Sequence, residues 1–163
     1  MVITVILGSN SGDKAEYIRQ ATNLLIERSG KLAASSSLYK TAPWGFESDE
    51  PFLNQVLQIE TGLCPETFLQ QALAIEKALG RRRLSSVRYA SRTIDIDLLF
   101  CDSEIIGTPS LTVPHPRIAE RRFVLVPLNE IMPGFVHPLL RKSISQLLAE
   151  CDDPLSVKKL RKN

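Results

Sequence analysis

The chain has 163 residues, a length that suits one hydrophobic core, and at 44% hydrophobic and 23% charged its composition excludes wholesale disorder. Twenty basic residues against eighteen acidic ones leave a net charge of +2, which is too near balance for nucleic acid or membrane to be the main partner. Cys64, Cys101 and Cys151 are odd in number, widely spaced and without a CxxC pairing, so a disulfide framework and a zinc site are unsupported and a reduced, cytoplasmic setting is expected.

The opening Val2 to Leu7 run is continuously apolar, has no basic leader, and is far too short to span a membrane; it reads as a central strand buried on both faces. Gly8-Ser9-Asn10-Ser11-Gly12 turns the chain, and Asp13 with Glu16 has the spacing of an N-terminal cap. Tyr17, Ala21, Leu24, Leu25 and Arg28 follow helical spacing up to a stop at Gly30. Strands are predicted at about Leu32 to Tyr39 and Phe52 to Thr61, separated by a loop too long for a tight hairpin. Pro65 opens a second helix carrying Phe68, Leu69, Ala72, Ile75 and Leu79, and Gly80 closes it. A basic loop, Arg81 to Arg92, leads into the strand Thr93 to Phe100. Beyond lie a short hairpin near Ile105 and Leu111, two or three short helices, the last capped by Ser143 with Gln146, and a basic tail, Lys158 to Lys162, expected to fray. Strand, helix, strand, strand, helix, strand is the order of an α+β ferredoxin-like sandwich, a βαββαβ core with an added hairpin and C-terminal helices. With no repeat and no linker, residues 1–163 read as a single domain.

Asp95 and Asp97 are the sharpest chemical signal. Side chains two apart on a strand point the same way, roughly 6 to 7 Å apart. Two carboxylates so placed can hold a pair of magnesium ions, typically ~3.5–4 Å apart in two-metal sites, which also take phosphate oxygens. A bare Asp-x-Asp is more often an acidic strand face, but this one follows Arg81, Arg82, Arg83, Arg88 and Arg92 directly. Guanidinium groups neutralise phosphate with directed, paired hydrogen bonds, and phosphoryl-type transfer needs mainly positioning and charge stabilisation. No GxxxxGK[ST] occurs, which excludes a P-loop. His115 stands between two prolines, with Arg121 and Phe123 following, while His137 reads as structural. Phe52 and Asn54 share a strand face that Trp44 and Phe123 can approach, a set suited to sandwiching a flat heterocycle and reading its edge, although such aromatics are more often core.

In order, GSNSGD, YKTAPWG, FLNQV, IEKALGRRR, RTIDIDLLF and VPHPRIAERRFVLVPL resemble the pterin pyrophosphokinase family from Ile3 to about Pro138, and the last two together are highly specific. The resemblance implies an ATP-dependent diphosphotransferase of folate biosynthesis, acting on 6-hydroxymethyl-7,8-dihydropterin as a cytoplasmic monomer. It implies that Asp95 and Asp97 coordinate two Mg2+ ions and that Arg81 and Arg92 contact phosphates during transfer. Arg83, Leu98, Thr112, His115 and Arg121 would bind ATP; Thr41, Ala42, Trp44, Phe52, Asn54 and Phe123 would bind the pterin. The family usually writes Arg-Trp-Gly-Pro-Arg before the acid pair, where this chain has Arg88-Tyr89-Ala90-Ser91-Arg92 in a loop about one residue longer. A two-metal nucleotidyltransferase, which releases diphosphate, and a non-catalytic ferredoxin-like ligand-binding module are the alternatives.

Overall fold

The computed structural model describes residues 1–42, 50–80 and 93–161. Five strands form the sheet order β5–β1–β4–β3–β8, and a sixth, β2, also pairs with β4. They are β1 (Val2–Ser9), β2 (Lys31–Ser35), β3 (Tyr39–Thr41), β4 (Phe52–Glu60), β5 (Asp95–Cys101) and β8 (Val157–Lys159). Every pairing in this sheet is antiparallel. A separate two-stranded hairpin joins β6 (Ile106–Gly107) to β7 (Thr112–Val113).

Both faces of the sheet are covered. On one face, α1 (Lys14–Ser29) and α2 (Pro65–Ala78) bury Ile18, Ala21, Leu25, Phe68, Ala72 and Ile75 against Ile3, Val5, Leu7, Ile96 and Leu98. On the other, α3 (Arg122–Ile131) and α4 (Ile144–Glu150) bury Val124, Leu125, Leu128, Ile144 and Leu147 against Ile6, Val56, Leu99 and Phe100. This explains why β1 is apolar at Ile3, Val5, Ile6 and Leu7 on both faces, with Thr4 the polar residue buried among them: alternate side chains serve different cores. The caps form as the sequence predicts. Asp13 accepts from the Glu16 N–H at 3.2 Å, and Ser143 and Gln146 make a reciprocal capping box.

Three expectations are corrected. The strand predicted at Leu32 to Tyr39 is two strands, because side chains enter the ladder between them. The Val56 N–H donates to the Ser36 hydroxyl at 2.9 Å, and the Gln55 amide takes the Ser36 carbonyl at 2.8 Å. The core face of α1 is rotated by about a residue: Ile18, not Tyr17, is fully buried. The basic tail does not fray over its first residues. Val157–Lys159 pairs with Tyr39–Thr41, Leu160 N–H reaches Leu38 C=O at 2.9 Å, and Lys159 lies 3.8 Å from Glu130. The edge of β3 supplies backbone partners that a local reading of charge does not reveal.

Candidate active site

The site lies where one sheet face turns from apolar to polar. Asp97 is opposite Ile6, which is opposite Val56; one step on, Asp95 is opposite Gly8, which is opposite Asn54, which is opposite Tyr39. Pairing preserves the face. Asp95 and Asp97 therefore share the side covered by α3, at its uncovered end, while Ile96 and Leu98 plug the opposite core. With its apolar neighbours buried, β5 cannot rotate without exposing them, so the acids are held half-buried on one side.

Gly8 makes the room between the acids and the amide. A Cβ there would stand 2.8 Å from Asn54 Oδ1 and 3.7 Å from Phe52 Cδ1. Asn54 is only 3% exposed and cannot readily yield, because its Nδ2 donates to Thr41 Oγ1 at 2.8 Å. That bond also leaves Oδ1 directed to the Gly8 side. Phe52 follows Asn54 on the same face, and Ala42 continues from Thr41 at the end of β3. The result is a floor with an amide at its centre, an aromatic ring beside it, Asp95 across a residue that has no side chain, and Asp97 next along the same face.

His115 is delivered along the outer edge of β5: its N–H donates to Leu99 C=O at 3.0 Å. Its Nδ1 accepts the Arg117 N–H at 3.2 Å, which leaves Nε2 as the outward nitrogen. Burial, and then the Arg121 cation, push the imidazole down to about 4, with Asp95 pulling the other way and Arg117 adding to the lowering. At neutral pH the ring is thus uncharged, with Nε2–H as a donor. The electrostatic influence of both Asp95 and Arg121 on one imidazole also ties β5 to the residues preceding α3. Arg121 Cζ lies 5.7 Å from the centroid of the Phe123 ring, and Phe123 packs half-buried against the second core.

Several sequence-predicted residues are placed differently or lie elsewhere. The Leu98 side chain is 5% exposed and belongs to the core on the face opposite the aspartates. Its side chain therefore cannot line a pocket beside them, because a strand alternates its faces. Thr112 is exposed on β7. Trp44, Arg81, Arg83 and Arg92 lie outside the described residues. Two residues were missed as site components. Gly8, expected from the sequence to open a turn, instead lies inside β1, which runs to Ser9. Glu76, 2% exposed, occupies a core-facing position of α2 that the apolar pattern assigns to a hydrophobe.

Among the described residues, no group of three His, Cys, Asp or Glu side chains is arranged to enclose a metal. Two half-buried carboxylates on one strand face are the donor set of a hard cation that shares its remaining ligands with substrate phosphates and water. Magnesium fits that set.

The profile of the family described as 7,8-dihydro-6-hydroxymethylpterin-pyrophosphokinase (HPPK) matches residues 4–133. A protein of Aquifex aeolicus named 2-amino-4-hydroxy-6-hydroxymethyldihydropteridine pyrophosphokinase is 39% identical over 144 residues, 88% of each chain. The Bacillus subtilis protein of that name is 45% identical over 128 residues, 78% of this chain and 75% of its relative. Plasmodium falciparum HPPK-DHPS with pteroate superposes with a TM-score of 0.74 at 18% identity, over 91% of this chain and 42% of that one. A second HPPK-DHPS structure, in complex with substrates, gives 0.69 at 17%, over 91% and 43%. This chain spans less than half the length of those two proteins, and at such identity they show a shared fold. By the extent of the family match and the identity to full-length relatives, the chain belongs to the 7,8-dihydro-6-hydroxymethylpterin-pyrophosphokinase family.

Proposed function

We propose that this chain transfers diphosphate from ATP to the hydroxymethyl oxygen of 6-hydroxymethyl-7,8-dihydropterin, a step of folate biosynthesis. The observation that carries this reading is one sheet face on which Asp95 stands across the bare Gly8 from the tethered Asn54, with Asp97 two residues along the same strand face, in a chain of this family. In the reaction the pterin oxygen bonds to the β-phosphorus, the bond from that phosphorus to the α–β bridging oxygen breaks, and AMP leaves with the electron pair. The hydroxyl proton is released.

Asp95 and Asp97 act as oxygen ligands for two Mg2+ ions. Bound magnesium supplies charge neutralisation along the phosphate chain. Neutral His115 donates Nε2–H to a phosphate oxygen without bringing a cation of its own, and Arg121 provides charge. Arg81, Arg83 and Arg92 complete the neutralisation, with Arg81 and Arg92 contacting the transferred phosphates. Thr112 sits by the nucleotide, and Leu98 contributes through its backbone at the edge of β5, its side chain being core. The pterin ring lies between Phe52 and Phe123. Asn54 and the backbone of Thr41, Ala42 and Trp44 read its edge, so the alcohol is held toward the acids.

The strand order β5–β1–β4–β3, with β2 and β3 together filling one position beside β4 and two helices on one face, supports a ferredoxin-like architecture. We place residues 1–163 in a single domain, functioning as a monomer in the cytoplasm without nucleic acid or membrane. Three free cysteines accord with a reducing compartment, and no described helix is long and apolar enough to cross a membrane.

The test is product identity. Incubation with ATP, Mg2+ and the pterin alcohol should yield AMP and the pterin diphosphate, separable by anion exchange. ADP among the products would refute the transfer; free diphosphate would favour nucleotidyl transfer instead.

A further inference from the structure

Among the described residues β5 ends the sheet, with no strand paired to its outer edge. Along that edge the Ile96 N–H sits in the peptide that joins Asp95 to the next residue, midway between the two acids. It donates to Glu76 Oε2 at 2.8 Å. Glu76 comes from α2, on the opposite side of the sheet from the aspartates, and is 2% exposed. Removing a carboxylate from water is costly unless it is paired or hydrogen-bonded, and any apolar residue would complete the Phe68, Ala72, Ile75 face at lower cost.

We propose that Glu76 is a positioning residue for the metal ligands: its carboxylate holds the outer edge of β5 so that Asp95 and Asp97 keep the separation that a divalent cation requires. Side chains on one strand are coupled through the peptide between them. Leaving the Ile96 N–H unbonded would let that peptide tilt, and both carboxylates would move with it. Glu76 is thus to the aspartates what a hydrogen-bonded outer residue is to an ordinary metal ligand. The inference rests on the reading of Asp95 and Asp97 as magnesium ligands given above.

The full chain and its Glu76→Ala, Glu76→Asp and Glu76→Gln variants would be titrated with Mg2+ in the presence of a non-hydrolysable ATP analogue, with nucleotide binding read by calorimetry. Exchange of β5 amides would be followed by mass spectrometry without metal. Removing the acceptor (Ala) or withdrawing it by one methylene (Asp) should raise the Mg2+ midpoint by about 10-fold or more, the usual scale for an outer-shell partner. Both should also speed exchange at Ile96. Glu76→Gln, which keeps an acceptor oxygen in place, should restore most of both. If Ala does not fold, Asp against Gln makes the same comparison. Variants with a lowered Tm but an unchanged Mg2+ midpoint would reduce Glu76 to a structural prop and overturn the proposal. A wild-type chain whose nucleotide binding ignores Mg2+ would overturn the metal assignment itself, and this proposal with it.

Discussion

Gly8→Ala is the most pointed test of the site, because the change is one methyl group and its surroundings are known. Gly8 is in a regular strand, so alanine suits the backbone and the effect comes from contact alone. The new carbon would lie 2.8 Å from Asn54 Oδ1, closer than side-chain carbons tolerate. Asn54 must then swing away and break its 2.8 Å bond to Thr41 Oγ1, leaving a buried hydroxyl and amide to find new partners. Overpacking of this kind costs about 1–3 kcal/mol. A ligand that needs Asn54 in place must repay that cost on binding, which at about 1.4 kcal/mol per tenfold amounts to roughly 5- to 150-fold in affinity. The pterin KM, or the Kd of a pterin analogue by fluorescence, should rise by that factor, while the affinity for Mg-ATP analogue changes far less. Gly62→Ala, where nothing lies within 4 Å, is the control and should be silent. Pterin affinity within twofold of wild type in Gly8→Ala, with the methyl present, would refute the placement of the pterin over Asn54.

Other outcomes follow from the same geometry. Asp97→Ala should abolish AMP release while thermal denaturation shows a folded protein, since the half-buried acid serves the site more than the core; an active variant would contradict its role as a ligand. His115 has a folded-state value pushed down to about 4, so below its unfolded value of about 6.5 the unfolded chain binds the proton more readily. Stability should therefore fall as pH drops from about 6.5 to 4, by up to ~3 kcal/mol from this residue, and His115→Asn should flatten the Tm-versus-pH curve there. Asp153 accepts the Arg122 N–H and the Leu155 N–H, each at 3.0 Å, so Asp153→Ala should cost about 1–3 kcal/mol and lower Tm by a few degrees in calorimetry. Among the thiols, Cys64 is exposed and lowered by its Thr67 hydrogen bond, whereas burial pushes Cys101 up to about 12 and Cys151 is buried. Iodoacetamide at pH 8 should label Cys64 in the native protein and reach the other two after denaturation, as peptide mapping would show.

Much was written locally in the chain. The strongly apolar stretch from Val2 to Leu7, helical spacing around Phe68 and Ile75, the caps at Asp13 and Ser143, and the alternation through Asp95 and Asp97 each follow from short-range rules, and each is found in the structure. That Asp95 and Asp97 share one strand face, and that Phe52 and Asn54 share one, was legible because two-residue spacing on a strand fixes a shared face without knowledge of the fold. What tertiary structure alone decided are the relations between segments distant in sequence. Gly8 became a gap only when β1 was laid between Asp95 and Asn54. Alternation along β5 already sets Leu98 opposite the aspartates; the assembled sheet decided that this opposite face is the α1 and α2 core. Glu76 interrupts the apolar face of α2, and only the assembled sheet brings the edge of β5 to its carboxylate, while Val157–Lys159 became a strand because β3 offered an edge. Periodicity reports which way a side chain points along its own element; it carries no information about which backbone group another segment will bring to meet it.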